Sequence, residues 1–197
     1  HVLSVQAGPD GTVYGSTGHP LRVYRYDPEK GELTNHGLRD ENGHFNAMAV
    51  QRGRLYGAMY GHGVLYEIDV NRPWADRDPD NPNPKELVRS QPNINRPHAL
   101  LAHPDGRHVI MGGTPGYGLT GGGLHIVDLQ EGKGAILPHT EVVPIQGPNC
   151  LIALQDGNLL GGTTTMPGTG GEQLASEAEL FVFDWAQRKV VWRQAVL

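Results

Sequence analysis

The chain has 197 residues, a net charge of −5 at neutral pH, 28 glycines and 15 prolines. This length allows one domain with a buried core, and the acidic balance excludes the clustered Lys and Arg surface that nucleic-acid binding needs. No apolar run approaches the roughly 20 residues that span a bilayer, so neither nucleic acid nor a membrane is an expected partner.

The single cysteine, Cys150, excludes an internal disulfide and leaves the cellular compartment open. We expect no secretory signal peptide, because the first residues lack its charged and apolar segments.

Four tight turns divide the chain into similar units. The four are Pro9-Asp10-Gly11, Arg52-Gly53, Pro104-Asp105-Gly106 and Asp156-Gly157. Each glycine supplies the positive φ that closes a short hairpin. The final glycines of these turns are 42, 53 and 51 residues apart by subtraction, which indicates an internal repeat.

The segment after each turn is apolar and ends in glycine, and the next one ends in aspartate. The aspartates are Asp27, Asp69, Asp128 and Asp184. Each aspartate is predicted to begin a turn, because its side chain can accept hydrogen bonds from the following backbone N–H groups. A less regular fourth strand is expected in each unit, at Glu32–Asn35, Glu86–Arg89, Ala135–Leu137 and Lys189–Arg193.

These segments are rich in β-branched and aromatic residues, and none shows a convincing helical period. The sequence therefore predicts an all-β protein, a β-propeller of four-stranded antiparallel blades. The blades are expected at about residues 1–43, 44–93, 94–145 and 146–197.

The third and fourth units resemble Kelch blades. The resemblance is carried by Met111-Gly112-Gly113 with Leu124-His-Ile-Val-Asp128, and by Leu160-Gly161-Gly162 with Phe181-Val-Phe-Asp184 and Trp192. The first two units have a single glycine and are more similar to YVTN and SMP-30-type propellers. This resemblance of blade pattern covers nearly the whole chain and implies a fold without a reaction.

Two arrangements of the four blades stay open. One is a closed four-bladed ring, and the other is part of a propeller of six to eight blades. We favour the second, because known four-bladed rings are usually clasped by a disulfide. The remaining blades would then come from a missing segment or from another chain.

The Pro- and Asp-rich stretch 71–84 is predicted to be a solvated loop. Within it, Asp76, Asp78 and Asp80 alternate as in calcium loops, but the stretch lacks the glycine of the sharp turn and contains Pro79 and Pro82. We interpret the stretch mainly as an acidic loop, with a divalent ion (Ca²⁺ or Mn²⁺) as the weaker hypothesis.

Polar residues open the predicted inner strands on the face that carries the longer loops. Blade geometry places them around the mouth of the central channel. The candidate ligand-binding residues are His19, His44, Asn46, Arg96, Thr114 and Asn149, and the candidate catalytic residues are His62, His98 and Tyr117.

These residue types suit a polar small molecule or a carbohydrate, including a uronic acid. Arg96 can hold a carboxylate through two hydrogen bonds. His98 or His62 as base and Tyr117 as acid would meet the needs of β-elimination, as in some propeller polysaccharide lyases. The enzyme class is left open, as a carbohydrate-active lyase or hydrolase. The alternative function is a non-catalytic protein–protein interaction propeller of Kelch or WD40 style, which predicts an exposed apolar patch.

Overall fold

The computed structural model describes residues 1–38 and 43–196. Residues 39–42, at the end of the predicted first blade, and Leu197, at the end of the predicted fourth, lie outside the described residues. Within the described ranges, no helix is long and apolar enough to cross a membrane.

The protein is all-β, with four antiparallel sheets of four strands each. Blade one contains β1 (Val2–Ala7), β2 (Val13–Thr17), β3 (Arg22–Asp27) and β4 (Glu32–His36). Blade two contains β5 (Phe45–Gln51), β6 (Arg54–Met59), β7 (Val64–Ile68) and β8 (Lys85–Arg89). Blade three contains β9 (Arg96–Ala102), β10 (His108–Thr114), β11 (Gly123–Asp128) and β12 (Lys133–Pro138). Blade four contains β13 (Gly147–Ala153), β14 (Leu159–Thr164), β15 (Glu179–Asp184) and β16 (Lys189–Ala195).

In each sheet the strands follow chain order, and the first strands contact one another in succession from β1 to β5, β9 and β13. This is the blade architecture of a β-propeller, and it confirms the predicted fold class. All four predicted fourth strands are present, each one to three residues longer than the sequence indicated.

The aspartate that ends each third strand accepts hydrogen bonds from the turn that follows it. The side chain of Asp27 accepts from the backbone N–H groups of Glu29 and Lys30 at 3.1 and 3.2 Å. Asp69, Asp128 and Asp184 accept equivalent bonds two or three residues ahead. The local prediction from these aspartates is therefore confirmed, and it explains why every third strand ends where it does.

Apolar clusters fill the three junctions between successive blades. Val23 and Tyr14 of blade one pack with Leu55 and Ile68 of blade two. The junction of blades three and four contains Ile110, Leu124, Leu159, Phe181 and Phe183. Because each sheet has side chains on both faces, a central blade is buried on both sides.

The chain direction sorts the connections onto two ends of the fold. The turns from first to second and from third to fourth strands lie at one end, which we call the turn face. The remaining connections lie at the other end, which we call the loop face. The loop face includes the connections at 60–63, 90–95, 115–122 and 165–178.

Candidate functional site

A β-bulge interrupts the innermost strand of every blade near the loop face. The extra, unpaired residues are Leu3, Asn46, His98 and Asn149, as the register shifts show. Three of these four are polar residues that the sequence placed at the channel mouth. Bulges commonly occur beside functional sites, because the ladder is broken there and a side chain is re-aimed.

The bulged residues make different contacts. Asn46 Nδ2 donates to the carbonyl oxygen of Pro97 in the next blade at 3.0 Å. His98 Nε2 lies 3.3 Å from the hydroxyl oxygen of Thr114, a buried residue. Asn149 is exposed. The structure therefore brings Asn46, His98 and Thr114 into one region around the start of β9.

Arg96, the first residue of β9, lies over an aromatic side chain of the neighbouring blade. Its Cζ atom is 5.0 Å from the ring centroid of Tyr60, which follows β6 directly. The Tyr60 hydroxyl is 2.8 Å from that of Tyr117, which reaches across from the 115–122 connection. A methyl group at Gly113 would collide with the Arg96 carbonyl oxygen, so this glycine allows β9 and β10 to approach here.

Arg96 and the hydrogen bond between the hydroxyl groups shift the pKa values of Tyr60 and Tyr117 in opposite directions. The hydrogen bond from Tyr117, and then the hydrogen bond and charge of Arg96, lower the pKa of Tyr60. The same hydrogen bond raises the pKa of Tyr117. Tyr60 is therefore the one that ionises first, with Tyr117 as the donor that stabilises its phenolate.

The two inner histidines are neutral at pH 7. Burial, and then the nearby charge of Arg96, lower the pKa of His98. Burial also lowers the pKa of His44; a hydrogen bond with Asn46 acts to raise it, and the charges of His19 and Arg96 act to lower it. Arg96 is therefore the permanent positive charge in the cluster.

His44 also connects the cluster to blade one. Its ring stacks on Tyr60 with centroids 5.3 Å apart. Its Nδ1 atom is buried without a hydrogen-bond partner within residues 1–38 and 43–196. His19 lines a cavity of about 460 Å³ beside blade one together with Val2 and Leu33.

His62 is held by the connection between blades two and three. Its backbone N–H donates to the Asn95 side chain at 2.9 Å, and its Nδ1 lies 2.8 Å from the Gln91 side-chain oxygen. Within the described chain, His62 makes no hydrogen bond or ring contact with Arg96 or Tyr60. His62 thus borders the cluster without joining it.

The cluster formed by Arg96, Tyr60, Tyr117, His44 and His98 is an open shelf. Tyr117 is 63% exposed, and the other members are partly exposed. A cavity of about 70 Å³ lies apart from this cluster, between blades one and two, where Tyr14 and Trp74 line it. A shelf of this kind can hold a ligand on one side while the other side stays in water.

Tyr60 and Gln91 were missed by the sequence reasoning. Tyr60 lies two residues before His62, in a connection that had already been assigned to the loop face. Its aromatic ring was a usable signal, but nothing in the sequence indicated that Arg96 would lie over it.

Within the described residues, Asp76, Asp78 and Asp80 are not grouped so that they could hold a metal ion, and the divalent-ion hypothesis stays a prediction. Asp78 instead accepts hydrogen bonds from the backbone of Asp80 and Asn81, both at 3.0 Å. In the part of the chain that the structure describes, no group of three or more His, Cys, Asp or Glu side chains is placed to hold a metal ion. The divalent-ion hypothesis therefore has no ligand cluster at this loop.

No family model matches the sequence, and no curated protein matches it. Solved structures of propeller-type proteins do match. The chain superimposes on hydrazine synthase of Kuenenia stuttgartiensis with a TM-score of 0.71 and 17% identity, over 99% of this chain and 49% of that one. Against a chain of the mitotic checkpoint complex the TM-score is 0.67 with 16% identity, over 98% and 51% of the two chains. Against the dihydro-heme d1 dehydrogenase NirN the values are 0.62 and 17%, over 100% and 38%.

These likenesses show a β-propeller fold and no more, because the identities are low. The chain spans about half the length of the first two structures it matches, and less of the third.

Proposed function

We propose that the protein binds an anionic polar small molecule, with a uronic-acid-containing saccharide as the favoured class, on the shelf around Arg96. The observation that carries the proposal is the state of this arginine. Arg96 forms no ion pair with a carboxylate of residues 1–38 and 43–196, although it lies beside neutral histidines and a tyrosine pair. An arginine in such surroundings can hold a carboxylate with paired, charge-assisted hydrogen bonds.

The remaining residues suit a saccharide. Tyr60 and Tyr117 offer ring faces and hydroxyl groups, while His98 and Thr114 offer polar atoms at hydrogen-bonding range of each other. Asn46, His44 and Asn149 extend the polar rim toward the neighbouring blades. The resemblance to Kelch, YVTN and SMP-30-type propellers is part of this proposal. It does not select the ligand, since none of these repeat types carries a fixed one.

The tyrosine pair also supports a chemical step, β-elimination at the uronic acid. The Tyr60 phenolate would take the proton from the carbon beside the carboxylate, and the electron pair would form a carbon–carbon double bond. The bond to the leaving oxygen would break, and that oxygen would take the proton of Tyr117. A proton transfer along the Tyr60–Tyr117 hydrogen bond then restores the pair.

In this scheme Arg96 stabilises the charge that develops on the substrate carboxylate. His98, neutral at pH 7, is the second candidate base, and His62 is left with a bordering role.

Binding can be tested with a glucuronate-containing disaccharide, its neutral glucose counterpart as probe control, and isothermal titration calorimetry. We expect Arg96→Gln to weaken glucuronate binding by about 10- to 100-fold, the effect of losing hydrogen bonds to a charged group. Arg77→Gln, which removes an exposed positive charge from blade two, is the matched control and keeps full affinity. Equal affinity of Arg96→Gln and the parent protein would overturn the proposal.

A second candidate function, protein–protein interaction, rests on an apolar patch at the same end of the fold. The patch consists of Tyr117, Leu119, Met166 and Leu174, which are all exposed. The 115–122 and 165–178 connections that carry it are joined by backbone bonds from Gly118 to Thr169 and from Gly168 to Leu119, each 3.0 Å long. Leu174→Asp together with Met166→Asp would abolish this interaction and leave glucuronate binding unchanged.

A further inference from the structure

The position of Tyr117 depends on a connection from another blade. Tyr117 lies in the 115–122 connection of blade three and is 63% exposed. Its hydroxyl oxygen is 2.8 Å from that of Tyr60, in blade two. Because an exposed side chain has few packing contacts to hold it, the place of this hydroxyl group is set largely by the backbone that carries it.

Two backbone hydrogen bonds join this connection to the 165–178 connection of blade four. The N–H group of Gly118 donates to the Thr169 carbonyl oxygen, and that of Gly168 donates to the Leu119 carbonyl oxygen, each at 3.0 Å. Gly118 and Leu119 directly follow the tyrosine in the chain. Blade four therefore fixes the backbone on the C-terminal side of the tyrosine.

Two glycines of blade four allow the two connections to approach this closely. A methyl group at Gly168 would collide with the Gly116 carbonyl oxygen, and one at Gly171 would collide with the Leu119 carbonyl oxygen. Both obstacles are backbone atoms, which cannot turn aside as the end of a flexible side chain can. Neither Gly168 nor Gly171 has a positive φ, so close approach rather than backbone conformation is what requires glycine here.

Side-chain and backbone bonds complete the support on both sides of Tyr117. The hydroxyl group of Thr120 donates to the Glu172 carbonyl oxygen of blade four at 2.5 Å. On the N-terminal side, the Gly116 N–H group donates to the Pro92 carbonyl oxygen at 2.8 Å. The tyrosine is thus carried by a short segment with one anchor between blades two and three and a second anchor in blade four.

We propose that the 165–178 connection is a positioning element of the shelf, which holds the backbone of Tyr117 where its hydroxyl group meets that of Tyr60. Gly168 and Thr120 are the positioning residues, the first by permitting the close approach and the second by a hydrogen bond across it. Blade four then contributes to a site whose side chains come from blades two and three. The consequence for a ligand rests on the proposed function, because a displaced Tyr117 takes one hydroxyl group away from a bound saccharide.

The first test is an alkaline titration followed by tyrosinate absorbance, in which each protein is compared with its own Tyr60→Phe derivative so that the difference reports Tyr60. Because the hydrogen bond from Tyr117 lowers the pKa of Tyr60, losing that bond should raise it. Gly168→Ala is expected to move the Tyr60 midpoint upward by as much as Tyr117→Phe does. Gly116→Ala is the matched control and keeps the parent midpoint, because the nearest atom to its added methyl group, beyond its chain neighbours, is 3.6 Å away.

Thr120 gives an independent pair of variants, which decides the matter if Gly168→Ala does not fold by circular dichroism. Thr120→Val keeps the shape of the side chain and removes the donor, so we expect a smaller upward shift of the Tyr60 midpoint. Thr120→Ser keeps the donor and should retain the parent curve. A folded Gly168→Ala protein with the parent midpoint would overturn the proposal, as would equal curves for Thr120→Val and Thr120→Ser.

Calorimetry separates this inference from the proposed function. Neither Gly168→Ala nor Thr120→Val removes Arg96, so both variants should still bind glucuronate. We expect binding about 2- to 10-fold weaker than that of the parent protein, the effect of losing one hydrogen bond between neutral groups. A parent protein that does not bind glucuronate but shows the Tyr60 shifts would sustain the positioning role and overturn the proposed function. Binding by the parent without those shifts in the variants would do the reverse.

Discussion

Charged side chains on the turn face can be compared with Arg96 on the loop face. Several cations of the turn face are paired with carboxylates: Arg25 with Asp10 at 3.3 Å, Lys30 with Asp27 at 3.2 Å, and Arg54 with Asp69. Arg107 bonds both Asp128 and Glu131 in the same way. On the loop face, Arg96 meets aromatic and neutral groups instead. Ion pairs therefore hold several turns at one end, whereas Arg96 at the other end packs over an aromatic ring.

Aromatic contacts follow the same division. On the turn face, Trp185 is stacked on His103 at 3.8 Å and covered by Arg188 at 3.5 Å, which ties blade three to blade four. On the loop face, Tyr60 lies under Arg96 in a similar arrangement, but the hydroxyl group of Tyr60 and that of Tyr117 are accessible. A cation over an aromatic ring is thus a structural contact in one place and a candidate binding element in the other.

The largest expected effect comes from breaking the turn face at Trp185. Trp185→Ala removes the ring between His103 and Arg188, and we expect a loss of about 3 kcal/mol in the free energy of unfolding. Urea denaturation measures this loss. Glucuronate binding to the remaining folded protein should be unchanged, and a matching loss of affinity would show that the two ends are not independent.

A smaller effect is expected from acid, which acts on the turn face through Asp105. Burial acts to raise the pKa of this carboxyl group, but backbone N–H groups of Arg107 and His108 and the His108 ring outweigh it and lower the pKa to about 2. Because the folded-state pKa lies below the unfolded value, the carboxylate contributes stability above pH 4, and this contribution is lost as the pH falls toward 2.

Asp105→Asn should remove about 1 kcal/mol of that pH dependence, a figure reduced for solvent screening. Denaturation series at pH 5 and at pH 2.5 measure it. The idea fails if the variant loses as much stability between the two pH values as the parent protein does.

The smallest expected effect is spectroscopic. The experiment compares Tyr56, within β6, with Tyr60, the residue that follows this strand. Tyr60, on the loop face, has a lowered pKa because of Tyr117 and Arg96. Burial, the charge of Glu67 and a 3.0 Å hydrogen bond to that carboxylate raise the pKa of Tyr56. In an alkaline titration followed by tyrosinate absorbance, Tyr60→Phe should remove an early-ionising tyrosine and Tyr56→Phe a late one. The same curve for both variants would contradict the assignment.

The fold could be predicted because its signals are local. Glycines at the turns and aspartates at the ends of the third strands act within a few residues of themselves, and each blade repeats them. The polar residues Asn46, His98 and Asn149 were also visible in the sequence, since each lies where an apolar strand begins. These signals placed the candidate residues on the correct end of the blades.

The internal arrangement of the site could not be predicted, because it depends on contacts between blades. The sequence does not show that Arg96 lies over Tyr60, which is 36 residues away by subtraction, or that Tyr117 reaches the same hydroxyl group. His62 and His98 looked equally suitable as bases, and only the packing around Asn95 and Thr114 distinguishes them. The calcium hypothesis depends on the same kind of information, because alternating aspartates bind metal only when the loop makes them converge, which the sequence does not show.

The bulges in the innermost strands have a consequence for how such a protein can change over evolutionary time. Leu3, Asn46, His98 and Asn149 each occupy a position without a ladder partner, so replacing one of them leaves the neighbouring strand pairs intact. The four positions already differ in chemistry, with one aliphatic residue, one imidazole and two amides. Substitution at these sites can therefore vary the chemistry of the loop face on an unchanged scaffold, and a library randomised at only these residues would sample that variation.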